Sequence, residues 1–415
     1  MTKKLPDNKL NLSSDRRSIS PIAHRVKLGC ERLLESEMKL IRGKRIGIVT
    51  NHSGVLPSGI HIVDALRADS DTTVVALFSP EHGIRGDVPA GKHVGHGIDQ
   101  ASGLPIYSLY GEHKKPEKWM LENVDLLVYD IQDLATRFYT YVSTLNLAME
   151  AAAENDIPFI VLDRPCLISG NLIDGPLLKD GFKSFIGMQR VPILYSMTPG
   201  EMAFMLNEEN MLSHGIKAEL HVVKLENYFR SMWYDETGLD WVNPSPNITS
   251  IETAVMYPGT ALFEGTNVTE GRGTKQPFRY VGAPFIKNTQ LTDYLNSLEL
   301  KGVEFVPVNF VPRSGKGGSN PKYKNQKCGG VEVRVVYRDN VKPVEVGIAM
   351  ICAARELYPD LVKFREDGAF DRLTGDDNIR EMIEQGKDHK EISSYWKHEL
   401  REFSKVRKKY FLYED

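Results

Sequence analysis

The sequence predicts an α/β fold with a doubly wound parallel sheet, followed by a second, smaller α+β domain. In the first half, short apolar runs rich in β-branched residues alternate with segments that have helical spacing of apolar residues, which indicates strands alternating with helices. The second half is less regular and richer in loops. A chain of 415 residues is long enough to bury a large core and to form two domains.

The elements follow in chain order. Apolar runs predict strands at residues 45–50, 74–78, 124–130 and 159–163, with helices at 60–67 and about 140–155. In the second half, Thr198 is a good N-cap for a helix that begins at Pro199. Strands at 219–223 and 330–336 and a C-terminal amphipathic helix from Ile392 to Tyr410 follow. The stretch 243–284 is expected to be loop, and such long loops are usually functional.

These elements divide the chain into three segments. Residues 1–25 are polar and are expected to be disordered. Residues 26–185 are expected to form the parallel-sheet domain, and residues 186–415 an α+β domain that closes a cleft over it.

Composition excludes several classes of protein. The net charge of −3 gives no reason to expect nucleic acid as a partner, and no apolar run is long enough for a membrane span. The N-terminus lacks the apolar stretch of a signal peptide, which predicts a cytoplasmic protein as the chain is written, or a periplasmic or secreted one if the start is trimmed or misassigned. No CxxC, GxGxxG or P-loop motif is present where its chemistry requires it, which disfavours zinc-ribbon, dinucleotide-binding and P-loop proteins, and the lack of GxSxG disfavours an ordinary α/β-hydrolase. Neither a metal nor an organic cofactor is expected.

The segment Ser79–Gly83, with the sequence SPEHG, is the main candidate for a chemical function. It follows directly on the strand predicted at 74–78. Ligands of open α/β sheets bind outside the carboxyl ends of the strands. Glu81 and His82 at such an end are therefore candidate catalytic residues, although on their own they fit an ordinary solvated loop equally well.

Polar residues follow three further predicted strands, and the topology would bring these ends together. The residues are Asn51 after the first strand, Asp130, Asp133, Arg137, Tyr139 and Tyr141 after the third, and Asp163 and Arg164 after the fourth. Each has a structural alternative: an Asx turn for Asn51, a helix-start pair for Asp133 and Arg137, and a salt bridge for Asp163 and Arg164. A structural explanation is about as plausible as a functional one for any single strand end. It is much less plausible that all four predicted strands end in such residues by chance.

A second polar cluster lies in the Gly-rich stretch 263–274. It contains Glu264, Asn267, Glu270 and Arg272 among three glycines. Glycines allow the backbone to approach a ligand closely, and an arginine binds carboxylates with two parallel hydrogen bonds. A ligand-binding loop is therefore expected here rather than a turn with surface charges.

With these motifs assembled, the chain resembles the NamZ (YbbC-like) exo-β-N-acetylmuramidases. The matching segments are GIVTN (47–51), SPEHG (79–83), DIQD (130–133), RFYTY (137–141), DRP (163–165), PSPN (244–247), YPGT (257–260), FEGTN (263–267), EGRGT (270–274), FDRL (370–373) and KKY (408–410). The resemblance extends from about Val26 to the C-terminus. In one place it departs from the family pattern, since Tyr195 occupies a position where family members commonly have histidine.

The resemblance implies a Rossmann-like N-terminal domain, a smaller C-terminal domain and a site in the cleft between them. It also implies removal of N-acetylmuramic acid from the non-reducing end of peptidoglycan-derived saccharides, with Glu81 as the leading catalytic residue and no cofactor. A non-catalytic protein that binds muropeptides or other acidic sugars remains the alternative. The oligomeric state is not indicated.

Glycosidases usually employ two carboxyl groups. We expect Glu81 to be the general acid/base, with His82 orienting it. Asp130, Asp133, Glu264 and Glu270 are all candidates for the second carboxyl group, and the 2-acetamido group of the sugar could replace it as an internal nucleophile. The candidates for binding the lactyl carboxylate of muramic acid are Arg137, Arg164 and Arg272, and those for contacts with the sugar ring are Tyr139 and Tyr141.

Overall fold

The computed structural model describes residues 25–86, 95–315 and 317–415. The N-terminal segment that was expected to be disordered therefore lies, apart from Arg25, outside the described residues. None of the described helices is both long and apolar enough to cross a membrane.

The elements are numbered here in chain order. The strands are β1 (Arg45–Thr50), β2 (Thr73–Ser79), β3 (Gly97–Ile98), β4 (Pro105–Ser108), β5 (Leu126–Asp130), β6 (Phe159–Leu162), β7 (Asp174–Leu177), β8 (Pro192–Leu194), β9 (Leu220–Val223), β10 (Tyr280–Ala283), β11 (Val303–Phe310) and β12 (Cys328–Val335). The α-helices are α1 (Gly29–Arg32), α2 (Ile62–Arg67), α3 (Lys118–Leu121), α4 (Tyr141–Glu154), α5 (Pro199–Glu208), α6 (Ile251–Thr260), α7 (Asn288–Ser297), α8 (Pro343–Leu357), α9 (Ala369–Thr374), α10 (Asp377–Glu384) and α11 (His389–Arg407).

The main sheet has seven strands in the order β3-β4-β2-β1-β5-β6-β9. All neighbouring pairs are parallel except β3 with β4. Without the short edge strand β3, the order is that of a Rossmann fold, with the first strand at the centre and the chain moving outward on either side. This confirms the predicted fold class. The strand order reverses at β1, so a crevice is expected beyond the carboxyl ends of β1 and its neighbours.

The second, smaller sheet is antiparallel and has the order β10-β12-β11. Helix α7 packs on β11 and β12, and α8 packs on α6. Gly259 and Gly347 lie at the crossing of α6 and α8, where a Cβ on Gly259 would lie 1.8 Å from the Pro343 carbonyl oxygen. These two glycines therefore allow the helices to pack backbone to backbone. The contact holds α6, which faces the candidate site, against the second sheet.

The sequence located most elements of the first half but underestimated the second. The stretch 243–284 was predicted to be loop, whereas it contains helix α6. The Pro258–Gly259 pair suggests a turn, but Ser250 caps the helix and its residues 253–260 are buried. Tertiary packing thus overrides the local propensity. Strand β9 follows the boundary predicted at residue 185 and still pairs with β6 in the main sheet; the division into domains stays a prediction.

Candidate active site

A small cavity lies beyond the carboxyl end of β2, between the main sheet and the second half of the chain. Its volume is about 60 Å³. The first half contributes Glu81, His82, Phe138, Tyr139, Thr140 and Tyr141, and the second half contributes Ser245, Asn247, Tyr257, Arg272 and Phe278. Among the residues that the structure describes, Glu81 is the one carboxylate on its walls. The SPEHG segment thus meets Arg272 of the Gly-rich loop at this cavity.

The turn that presents Glu81 has an unusual backbone. His82 is buried and has a φ of 75°, and Gly83 follows with a φ of 78°. A residue other than glycine is strained when its φ is positive. Such strain persists where the surrounding structure fixes the backbone, often at functional sites. The turn places Glu81, which is half-buried, at the wall of the cavity and His82 beside it.

Aromatic rings form most of the cavity wall. Tyr139 packs edge-to-face on Tyr141 and on Tyr257, with ring centroids 4.9 and 5.7 Å apart, and Tyr257 packs on Phe278 at 4.7 Å. The Tyr141 hydroxyl donates a hydrogen bond of 3.0 Å to the carbonyl oxygen of Pro244. Tyr139 and Tyr141, which were predicted to contact a sugar, do line the cavity. Both are nevertheless buried, so they serve as its walls and not as an exposed stacking platform.

Tyr110 is a neighbour of Glu81 that the sequence did not reveal. It follows β4, and its hydroxyl is hydrogen-bonded to Glu81. Burial and the adjacent carboxylate together raise the pKa of Tyr110 to about 12, so the phenol keeps its proton. A polar residue just after a strand is a signal that could have identified it. The strand itself, only 105–108 and beginning with proline, is too short to be predicted from periodicity.

Arg272 reaches the cavity and is held by two carboxylates. Its Nη2 donates to Glu264 Oε1 at 2.8 Å, and its Nε lies 3.6 Å from Glu270 Oε1. Glu270 also binds Lys322 Nζ at 3.2 Å. Burial opposes the charge of Arg272, but Glu264 and Glu270 outweigh it and raise the pKa of the guanidinium. The arginine is thus a fixed cation beside Glu81, and its two carboxylates lie behind it.

Asp130 and Arg164, two predicted site residues, bind each other away from the cavity. The guanidinium donates from Nε to Asp130 Oδ1 at 2.5 Å and from Nη2 to Oδ2 at 3.0 Å. Arg164 also donates to the Val55 carbonyl oxygen at 3.2 Å. Both side chains are buried. This bidentate salt bridge supports a structural role. Together with the bond to Val55, it links the ends of β5 and β6 to the segment after β1.

Asp133 is bound by the residue at which the chain departs from the family pattern. The Tyr195 hydroxyl donates to Asp133 Oδ2, and the Ala135 amide donates to the same oxygen at 3.2 Å. Burial raises the pKa of Asp133 to about 6, although the hydrogen bond from Tyr195 works in the opposite direction. Tyr195 is completely buried and does not line the cavity. Tyr195 therefore contributes to the packing around Asp133 and not to the cavity wall.

Asp163 organises a helix start and the C-terminal tail. Its carboxylate accepts hydrogen bonds from Thr198 Oγ1 and the Gly200 amide, both at 2.8 Å, and from the Tyr413 hydroxyl at 2.5 Å. Thr198 is, as predicted, the N-cap of α5, and it forms a capping box with Glu201. The contacts of Asp163 support a structural role.

Asn51, Arg137 and Asn267 also lie outside the cavity wall. Asn51 accepts hydrogen bonds from the Ser53 amide and hydroxyl, at 2.9 and 2.6 Å, which makes the Asx turn considered above. Arg137 is buried and donates to four backbone carbonyls. Asn267 bonds to the backbone of residues 361 and 363. Of the predicted site residues, Glu81, His82, Tyr139, Tyr141 and Arg272 come together at the cavity.

The site contains acid, cation and aromatic surface without an evident metal centre. Within residues 25–86, 95–315 and 317–415, no three His, Cys, Asp or Glu side chains are grouped as metal ligands would be. Asp99, a buried carboxylate after the short strand β3, pairs with Arg85 at 2.9 Å.

A half-buried carboxyl group, a fixed arginine and aromatic walls, placed at the edge of a Rossmann-like sheet, define a carbohydrate-processing protein of the α/β class. Family models described as exo-β-N-acetylmuramidase NamZ, N-terminal and C-terminal, match residues 46–252 and 255–413. The chain belongs to this NamZ family.

Individual relatives agree with this assignment. The chain is 46% identical over 389 residues to the peptidoglycan β-N-acetylmuramidase NamZ of Bacillus subtilis (strain 168), covering 94% of this chain and 92% of the relative. A crystal structure of a DUF1343 family protein from Bacteroides fragilis NCTC 9343 superposes with a TM-score of 0.87 at 38% identity, covering 94% of this chain and 99% of that one. A second such protein from the same strain gives 0.77 at 35% identity, covering 94% and 100%.

Proposed function

We propose that this protein is an exo-acting glycoside hydrolase that releases N-acetylmuramic acid from the non-reducing end of peptidoglycan fragments. The observation that carries the proposal is the position of Glu81 in a cavity with Arg272 and five Phe and Tyr side chains. The B. subtilis relative, which is named a peptidoglycan β-N-acetylmuramidase, supports the substrate class.

Glu81 is the general acid/base in this proposal. It protonates the oxygen of the leaving sugar and then takes a proton from the attacking water. The Tyr110 hydroxyl, which is hydrogen-bonded to Glu81, restricts the orientation of the carboxyl group. His82 supports the same turn from the cavity wall.

Arg272 binds the lactyl carboxylate that distinguishes muramic acid from glucosamine. The two other arginines considered for this role are buried and bind other groups, Arg164 binding Asp130 and Arg137 backbone carbonyls. Arg272 lies on the cavity wall, and among the described residues its Nη1 group donates a long hydrogen bond of 3.4 Å to the Gly317 carbonyl oxygen. A charge-assisted hydrogen bond from this group to the lactyl carboxylate would select the substrate.

The direct test is the release of the free sugar. The purified protein is incubated with two disaccharides, one with N-acetylmuramic acid at the non-reducing end and one with N-acetylglucosamine there. We expect free N-acetylmuramic acid from the first disaccharide only, measured by mass spectrometry. Binding of the first disaccharide without cleavage would instead establish the alternative, a non-catalytic binding protein.

Replacing Arg272 should reduce the selection for muramic acid. In Arg272→Met, we expect the ratio of kcat/KM for a chromogenic muramic acid glycoside over its glucosamine analogue to fall about 10- to 100-fold, because one charge-assisted interaction is lost. Arg279→Met is the matched control, since Arg279 pairs with Glu332 on the second sheet and does not line the cavity. An unchanged ratio in Arg272→Met would assign the carboxylate to another group.

A further inference from the structure

The carboxylates that could complement Glu81 are all bound to other groups. Asp130 is paired with Arg164, Glu270 with Lys322, and Asp133 is bound by the Tyr195 hydroxyl. Glu264 is the most accessible of them, with 35% of its side chain exposed, but its Oε1 accepts both Nε and Nη2 of Arg272. None of the four lines the cavity beside Glu81. A nucleophile from another source would suit this arrangement better.

The cavity itself has the size of a substituent and not of a sugar. A volume of about 60 Å³ accommodates roughly four to six groups the size of a water molecule. Its walls combine the rings of Phe138, Tyr139, Tyr141, Tyr257 and Phe278 with polar side chains such as Ser245 and Asn247. Such walls suit a small group with a methyl end and a polar end, which describes an acetamido group.

One polar atom in these walls lacks a well-formed hydrogen bond. The Tyr139 hydroxyl is buried, and among the described residues no group meets it with good hydrogen-bond geometry. Its polar neighbours include the side chains of Ser245 and Tyr141, which also line the cavity. A buried hydroxyl without a partner costs free energy that a ligand can recover.

We propose that the cavity is the subsite for the 2-acetamido group of the sugar, and that this group is the nucleophile of the reaction. The Tyr139 hydroxyl orients the group by a hydrogen bond, and Glu81 is the single carboxyl group that transfers protons. This inference rests on the proposed glycosidase function, which it deepens.

The reaction balances without a further reagent. The acetamido oxygen forms a bond to C1 while the C1–O bond to the leaving sugar breaks. The electron pair of that bond stays on the leaving oxygen, which takes the proton of Glu81. The product is a cyclic oxazolinium ion beside the Glu81 carboxylate. Water then attacks C1 and gives a proton to Glu81. The bond between C1 and the oxazolinium oxygen breaks, its electron pair returns to that oxygen, and the acetamido group re-forms. Two inversions give net retention.

The experiment varies the nucleophile on the substrate. Wild-type protein is assayed with chromogenic muramic acid glycosides carrying N-acetyl, N-fluoroacetyl and N-trifluoroacetyl groups, and the first-formed anomer is identified by NMR. Fluorine withdraws electrons from the carbonyl oxygen, so we expect kcat/KM to fall about tenfold or more across the series and the β anomer to form first. An α anomer formed first, or a rate independent of fluorine, would overturn the inference.

Variants separate this mechanism from one with a protein nucleophile. Tyr139→Phe should lower kcat more than it changes KM, while Tyr294→Phe, whose hydroxyl bonds Glu356 on the surface, should behave as wild type. If Glu264→Gln loses as much activity as Glu81→Gln, a carboxylate nucleophile operates and the inference fails. The failures of the two proposals are distinguishable, because wild-type protein that does not cleave the N-acetyl substrate contradicts the glycosidase function itself.

Discussion

Glu81→Gln should abolish most of the hydrolysis while leaving substrate binding nearly intact. The amide has almost the shape of the carboxyl group but cannot donate a proton to the leaving oxygen. General acid/base catalysis contributes about 100- to 10,000-fold, so we expect a loss of kcat/KM in that range with a muramyl disaccharide. Calorimetric titration with the same disaccharide should give a Kd close to that of an uncleaved wild-type complex, such as one with a thioglycoside analogue.

Leaving-group ability makes this test specific for the acid role. Dinitrophenolate is a stable anion that leaves without being protonated. In Glu81→Gln, the first step with a dinitrophenyl glycoside should therefore be slowed much less than the first step with the natural disaccharide. Glu304→Gln is the matched control, because Glu304 is an exposed carboxylate on β11, 3.7 Å from Arg334. Equal losses with both substrates, or a loss of binding in Glu81→Gln, would argue against a proton transfer by Glu81.

The sequence could predict the main sheet because its strands are buried on both faces. Such strands are continuous apolar runs, and the polar residue after each run marks the catalytic edge. It could not predict which of these residues face the cavity. Asp130 and Arg164 both follow strands, but the pairing of β5 with β6 places them side by side, and they neutralise each other. Proximity at the sheet edge thus identifies a region and not a set of contacts.

The residues supplied by the second half were harder to predict for a different reason. Tyr257 reaches the cavity because α6 packs against α8 through Gly259 and Gly347. That packing depends on two segments far apart in sequence, which no local pattern reports. The Gly-rich loop was predicted from its composition to bind a ligand. That Arg272 faces the cavity while Glu264 binds the guanidinium from outside the cavity wall depends on tertiary contacts.

Arg137 shows most clearly how a residue in a functional motif can serve the fold. Its Nη1 donates to the carbonyl oxygens of Pro176 and Val191, both at 2.9 Å, and its Nη2 to those of Leu373 and Thr374, at 3.0 and 2.6 Å. The last two carbonyls end helix α9, where a cation is favoured. Burial lowers the pKa of Arg137 to about 9, so the guanidinium remains charged at neutral pH.

The neighbouring Gly375 makes this contact possible. It has a φ of 70°, and a Cβ there would lie 2.6 Å from Arg137 Nη2. The guanidinium therefore joins the loop after β5, which continues into Tyr139 and Tyr141, to the C-terminal part of the chain. The cavity walls depend on this connection.

Arg137→Met should therefore destabilise the protein by about 3–5 kcal/mol, because four buried carbonyls lose a charged partner at once. Urea unfolding followed by fluorescence measures the change. Arg190→Met is the control: the Arg190 guanidinium is exposed and pairs with Glu399, so we expect a change of at most about 1 kcal/mol. Arg137→Lys keeps the charge but cannot span four carbonyls, so it should also be destabilised, with the selection for muramic acid preserved in the folded fraction. Near wild-type stability with a raised KM would instead place Arg137 in contact with the substrate, and would require the loop after β5 to rearrange when the sugar binds.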